Sequence, residues 1–232
     1  MFEQLVSWDK SLLLELNGSD SLFFDGLFWT VTQTVTWIPF FLALIYIIYK
    51  NNEFRNSLLL LLIISLLIFI TDHFSSSFCK PLFHRLRPTH DPEILCMIDL
   101  VNDYRGGWYG FFSSHASNTF GLAFFLSLLF RNWKSTFVLF CWASLSSYSR
   151  IYLGVHFPGD ILVGTLCGAL LGTLSYFLYL YLNSFICKQR KYYSSAYTSS
   201  GFLVSDLYVF QAFFAMTLVY VILMAVYLST KF

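Results

Sequence analysis

The residues of this chain best suited to chemistry lie in Ser149-Arg150-Ile151-Tyr152-Leu153-Gly154-Val155-His156-Phe157-Pro158-Gly159-Asp160, where a cation, an imidazole and a carboxylate fall between two long apolar segments. Pro158 suits the first turn of a helix, where its missing N–H removes no hydrogen bond. Asp160 then falls in that same turn, facing back toward His156 just outside it. A carboxylate so placed accepts from one imidazole nitrogen, sets the tautomer and leaves the other nitrogen free to attack. Arg150 offers a planar fork of donors matched to a phosphate. Titratable groups at a membrane boundary are costly and mark functional sites. His156 and Asp160 are therefore the candidate catalytic pair, with Arg150 beside them.

Two further clusters carry chemistry of the same kind. In Lys80-Pro81-Leu82-Phe83-His84-Arg85-Leu86-Arg87-Pro88, Lys80 and Arg87 stand seven residues apart at the mouth of an apolar segment. Alone they would read equally as a solvated basic loop or as cations snorkelling at a helix end. In Phe112-Ser113-Ser114-His115-Ala116-Ser117-Asn118 the serines precede an apolar run, as helix N-caps do. A helix start also presents free N–H groups and the positive end of the dipole to an anion. Ser113, Ser114 and His115 thus form a candidate phosphate cradle. Its plainer alternative is a simple cap with an interfacial histidine.

The elements that must position these groups are membrane helices. The chain has 232 residues, of which 57% are hydrophobic and only 12% charged, against about 25% charged in a soluble domain. That deficit, with several long apolar runs, predicts an all-α integral membrane bundle forming one domain over 1–232. Residues 2–16 predict a short interfacial amphipathic helix with Leu5, Trp8, Leu12 and Leu16 on one face and charges opposite. Six transmembrane helices are then expected, at about 27–49 (kinked at Pro39), 58–74, 115–130, 135–149, 160–182 and 207–229. A functional loop is expected over 80–112. Gly164, Gly168 and Gly172 repeat every four residues in the fifth span, a surface for close helix contact. Acidic residues near the start (Glu3, Asp9, Glu15, Asp20) argue against a cleavable signal peptide.

Net charge is +1 and no basic run or finger pattern occurs, so nucleic acid is not an expected partner. Cys141 and Cys167 read as small hydrophobes, while Cys79 and Cys96 flank one loop and leave pairing open. With six spans, both termini, the 80–112 loop and the 149–160 stretch share one side. The connections 50–56, 131–134 and 183–206 hold seven of the fourteen Lys and Arg in a short length, with Lys188, Arg190 and Lys191 in the last. The positive-inside rule puts that side in the cytoplasm and the candidate site outside, in the cytoplasmic (inner) membrane.

The ordered pattern K-x6-R-P, S-x-H and S-R-x5-H-x3-D resembles the type 2 phosphatidic acid phosphatase family, which shares its active site with vanadium haloperoxidases. The resemblance covers roughly 58–182. One departure is Phe112-Ser113-Ser114-His115, where the family usually reads Pro-Ser-Gly-His; Ser-Ser-His-Ala-Ser-Asn looks like the form in bacterial members. The resemblance implies that His156 attacks phosphorus to give a phosphohistidine while Asp160 orients it. His115 would protonate the leaving oxygen and later activate water. Lys80, Arg87 and Arg150, with Ser113 and the amide of Ser114, would hold the equatorial oxygens. Neither metal nor cofactor is expected, since phosphoryl transfer needs mainly positioning and charge, which three cations can supply. One histidine must be neutral and the other protonated, which predicts a bell-shaped rate profile.

The expected function is therefore an integral membrane phosphatase acting on a phosphorylated lipid whose tail stays among the membrane lipids. A bacterial envelope lipid is expected: undecaprenyl diphosphate, phosphatidylglycerol phosphate, phosphatidate or the phosphates of lipid A. Trp108, Tyr109, Phe111 and Phe112 would border the way in or form an interfacial aromatic belt. His73, His84 and His90 match no motif, and His84 and Arg85 read as head-group contacts. An anion transporter fits less well, because the charges gather at one face rather than at mid-membrane depth. A catalytically silent scaffold fits less well because Lys80, Arg87, His115, Arg150, His156 and Asp160 are all present.

Overall fold

The computed structural model describes residues 2–186 and 194–231. Among them the chain is all-α, with eight helices when Phe54–Phe83 is taken as one continuous rod. They are α1 (Phe2–Leu16), α2 (Leu22–Thr32), α3 (Ile38–Asn51), α4 (Phe54–Phe83), α5 (Ser114–Phe130), α6 (Trp133–Tyr152), α7 (Pro158–Ile186) and α8 (Val204–Leu228). Four segments among the described residues are long and apolar enough to cross a membrane: Thr34–Asn51, Phe54–Phe83, Pro158–Phe185 and Val204–Leu228.

The bundle is built around α5, which packs most heavily on α7 and then on α6 and α4. Small residues make that first contact possible. A Cβ at Gly164 would stand 2.6 Å from the Ser113 carbonyl, and at Gly168 and Gly172 it would run into the carbonyls of Ser117 and Gly121. Ser113, Ser117 and Gly121 are themselves four residues apart, so two small-residue ridges meet backbone to backbone. On the other flank α2 and α3 pack against α8. There Trp37 and Phe40 interleave with Trp142, Phe210 and Phe214 in one buried aromatic cluster.

Several expected boundaries are corrected. The first expected span, 27–49, is two helices: α2 stops at Thr32, and a 3-10 turn at Thr34–Trp37 leads into α3. Pro39 does not kink a helix but stands in its first turn, where its missing N–H costs nothing. The second span does not end near Phe74. It runs on through a π-helical turn, Phe74–Cys79, and carries Lys80 on the helix rather than in the loop. On α1 the inward face is Asp9 and Leu13, while Leu5 and Trp8 stay exposed. Cys79 and Cys96 are both free thiols, Cys79 buried and Cys96 exposed. Lys188, Arg190 and Lys191, counted above for orientation, lie outside the described residues.

Replacing Gly168 or Gly172 by Val is expected to cost about 1–3 kcal/mol of stability by forcing α5 and α7 apart. Thermal unfolding in detergent measures this, with Leu174→Ala on the exposed face of α7 unchanged.

Candidate active site

Four segments deliver the candidate residues to one end of the bundle. The first is the π turn of α4, a feature frequent at functional sites. It turns the Ser75 and Ser76 hydroxyls toward α5. Ser75 Oγ donates to the Phe112 carbonyl (2.7 Å) and shares a hydrogen bond with Ser114 Oγ (3.0 Å). Lys80 Nζ donates to Ser114 Oγ at 2.8 Å and to Ser76 Oγ at 3.3 Å.

The second segment is the long loop, whose two ends are stitched together. Arg87 N–H donates to the Trp108 carbonyl and Gly110 N–H to the Arg85 carbonyl, each at 2.9 Å, around an antiparallel bridge between Leu86 and Tyr109. This carries Arg87 into the protein. Its Nε donates to the Tyr109 carbonyl (3.2 Å), and its Nη1 donates to the Val155 carbonyl (3.1 Å) and to His156 Nε2 (3.2 Å).

The third segment is the start of α5. Ser113 is the N-cap, its hydroxyl accepting from the Ala116 amide at 3.4 Å, while its own N–H donates to the Asp160 carbonyl at 3.1 Å. The serine beside the lysine is therefore Ser114, and Ser113 is turned into the helix. His115 follows, within electrostatic reach of Arg150, His156, Arg87 and Lys80.

The fourth is the junction of α6 and α7. Arg150 is 4% exposed. Its Nη1 donates to Thr32 Oγ1 (2.6 Å), its Nη2 to the Tyr104 hydroxyl (3.2 Å), and its Nε has no partner. That unsatisfied buried N–H stands ready for an oxygen of a ligand. α7 begins at Pro158 as the sequence suggests. His156 Nδ1 lies 3.4 Å from Asp160 Oδ2. Since Nε2 accepts from Arg87, the proton sits on Nδ1 and points to the carboxylate.

A hollow of about 650 Å³ opens beside these groups, lined by Ser76, Lys80, Pro81, Arg87, Gly107, Trp108 and Tyr109, and Arg87 joins it to His156. Burial, and then the charges of Arg87, Arg150 and Lys80, hold the His156 pKa well below its usual 6.5. Burial and Arg150 lower Arg87 to about 10, which leaves it charged at neutral pH. Such a site can bind a multiply charged anion and present a neutral imidazole nitrogen to it.

Residues 57–184 match the family model described as the PAP2 superfamily. The chain belongs to that superfamily. Two curated relatives are named lipid A 4'-phosphatase. The one from Bacteroides thetaiotaomicron is 42% identical over 77% of this chain and 80% of its own length. The one from Porphyromonas gingivalis is 37% identical over 78% and 77%. A solved transmembrane PAP2-type phosphatidylglycerolphosphate phosphatase from Bacillus subtilis is similar in fold. It has a TM-score of 0.55 and 24% identity, and the match spans 81% of this chain and 90% of that one. This PAP2 protein is a multi-pass membrane lipid phosphatase.

Lys80, Arg87, Ser114, His115, Arg150, His156 and Asp160, dispersed between residues 80 and 160 of the sequence, share this one site. Sequence reasoning missed the residues that hold them: Ser75 and Ser76 under Lys80, Thr32 and Tyr104 under Arg150, and Arg85 with Asp9 behind Asp160. Ser75-Ser76-Ser77 in an otherwise apolar run was a visible signal; Thr32 and Asp9 gave none. Arg85 is not a head-group contact, because its guanidinium pairs with Asp160 and Asp9.

A depressed His156 pKa keeps the imidazole neutral below pH 6.5, so kcat/KM is expected to fall only at lower pH. Removing a cation raises that pKa, so Arg87→Met is expected to move the acid limb toward higher pH even as the rate drops. A pH–rate series on both proteins measures it, and a limb that stays put removes His156 as the titrating group.

Proposed function

We propose that this PAP2 enzyme removes the 4'-phosphate of lipid A through a phosphohistidine on His156. The observation that carries the chemistry is the neutral His156 Nε2, backed by Asp160 and placed among Lys80, Arg87 and Arg150. Support for the substrate is the pair of relatives named lipid A 4'-phosphatase. An arriving phosphate takes the Arg87 N–H that now caps Nε2, which frees the lone pair. Nε2 then bonds to phosphorus as the bond to the sugar oxygen breaks, and His115, protonated once the negative charge of the bound phosphate offsets the three cations, gives that oxygen its proton. In the second half His115 takes a proton from water, whose oxygen displaces the imidazole and releases inorganic phosphate. Lys80, Arg87 and the free Nε–H of Arg150 hold the equatorial oxygens, with the Ser114 hydroxyl and amide beside them.

The same reading assigns six crossings, with α5 and α6 joining the four long apolar segments. Most of α5 is buried among its neighbours, so helix rather than lipid surrounds it and its serines and small residues are tolerated. α1 then lies at the interface with Leu5 and Trp8 outward, and the site faces the extracytoplasmic side. Exposed Phe78, Leu82, Phe83 and Trp108 beside the cleft suit a substrate whose acyl chains remain in the bilayer.

Purified protein in mixed micelles with lipid A and EDTA is expected to release one phosphate per lipid, read by mass spectrometry of the product. His156→Ala is expected to release none. Release from phosphatidylglycerol phosphate but not lipid A would move the substrate and keep the chemistry. Orientation has its own measurement. In a variant retaining Cys96 alone, a membrane-impermeant maleimide is expected to label intact cells, and labelling only after lysis reverses the topology.

A further inference from the structure

Behind the catalytic pair lies a chain of contacts that the transfer of phosphate does not itself require. Asp160 Oδ2 accepts from the Phe157 amide (3.1 Å) as well as facing His156, and Asp160 Oδ1 accepts from Arg85 Nη1 at 2.7 Å. The Arg85 guanidinium lies 4.3 Å over the Phe157 ring and gives Nη2–H to Asp9 Oδ2 at 2.6 Å. Asp9 Oδ1 in turn accepts the Gly159 N–H at 2.8 Å, which closes a ring of contacts around Asp160. Gly159 leaves room for this, since a Cβ there would stand 2.7 Å from Asp9 Oδ2. Asp9 is 7% exposed and Asp160 is fully buried.

The parts divide the work. A carboxylate held through one oxygen can still turn about its last bond, so its line to Nδ1 is loose. Engaging Oδ1 as well removes that freedom, and a planar guanidinium does so with direction. Arg85 is a long side chain with about a quarter of its surface open, and alone it would sample other rotamers. Asp9 on its far edge and Phe157 beneath it leave one pose. The same aspartate also ties down the peptide that begins α7. Displacement of a reacting group by about 1 Å can cost on the order of a hundredfold in rate.

We propose that Asp9 is a positioning residue of the reaction, acting through Arg85 to keep the Asp160 carboxylate in line with His156 Nδ1, so that α1 is part of the catalytic apparatus. This rests on the roles given to His156 and Asp160 above. It does not depend on which lipid is the substrate. α1 has a separate packing anchor in Leu13, buried against Ile94, Ile98, Ile151 and Phe157, so loss of the Asp9 charge leaves the helix docked.

Asp9→Asn, Asp9→Glu, Arg85→Lys, the Asn/Lys double variant, Leu13→Ala and His156→Ala are compared for kcat, KM and thermal midpoint in mixed micelles, on a lipid phosphate that the wild type hydrolyses. Asp9→Asn is expected to lower kcat about tenfold or more, with KM within about twofold and the midpoint unchanged. Asp9→Glu is expected to recover part of the loss. The double variant is expected to be no slower than the slower single, because both break one chain of contacts. Wild-type kcat in Asp9→Asn, multiplying losses in the double variant, or an equal kcat loss in Leu13→Ala at a matching midpoint overturns the proposal. An active His156→Ala is a different failure, since it removes the assignment of the nucleophile itself.

Discussion

The site depends on holding three cations together without neutralising them. Like charges in a buried space repel, and Lys80, Arg87 and Arg150 each feel the others. The protein anchors each one by uncharged acceptors. Arg150 rests on a threonine hydroxyl and a tyrosine hydroxyl, Arg87 on two backbone carbonyls, and Lys80 on two serine hydroxyls. Asp160 and Asp9 are engaged by a different cation, Arg85. Such a site is unfinished until an anion arrives, and the attraction so stored is available to charge developing on a phosphoryl group. It also keeps His156 neutral, since a protonated imidazole would be a fourth like charge.

The helical architecture follows from the need to bring four distant segments within a few ångströms. Close approach of α7 to α5 sets Ser113 N–H against the Asp160 carbonyl, so the N-cap of one helix is joined to the first turn of the other. Two segments of the candidate site are thereby placed by backbone contact, the least deformable means available. α4 and the stitched loop supply the remaining wall. α2 contributes Thr32 from its last turn, which is why the early break before α3 matters: a continuous span through Gln33 would carry Thr32 elsewhere.

Much of the site was legible because its residues recur at short, helix-compatible spacings. Pro158 marked the start of α7, and His156 and Asp160 stand within one turn of it; Ser113 announced the cap of α5. What was illegible depends on contacts between remote parts of the chain. A helical wheel of residues 2–16 puts Leu5 and Trp8 on the apolar face, yet the protein buries Asp9 and Leu13 instead. The partners that reward burying Asp9, Arg85 and the Gly159 amide, are 76 and 150 residues away. Arg85 looked like one more loop cation because nothing local marks it as facing inward. The continuation of α4 past Phe74 was hidden by three serines and Pro81, which lower the apolar signal just where the helix leaves its lipid-like stretch for the cleft. The first span was misjudged although a polar run, Thr30, Thr32, Gln33, Thr34 and Thr36, interrupts it at the place where the backbone changes direction.

The π turn at Phe74–Cys79 holds one residue more than an α-helix would need over the same rise. Each residue of an α-helix turns the chain by about 100°, so this surplus sets the phase between the membrane-crossing shaft of α4 and its tip. Wound as regular α-helix, the same residues would carry Lys80 about 100° further round the axis and off the cleft, so the π turn absorbs the surplus. In this stretch the number of residues, more than their identity, aims the lysine.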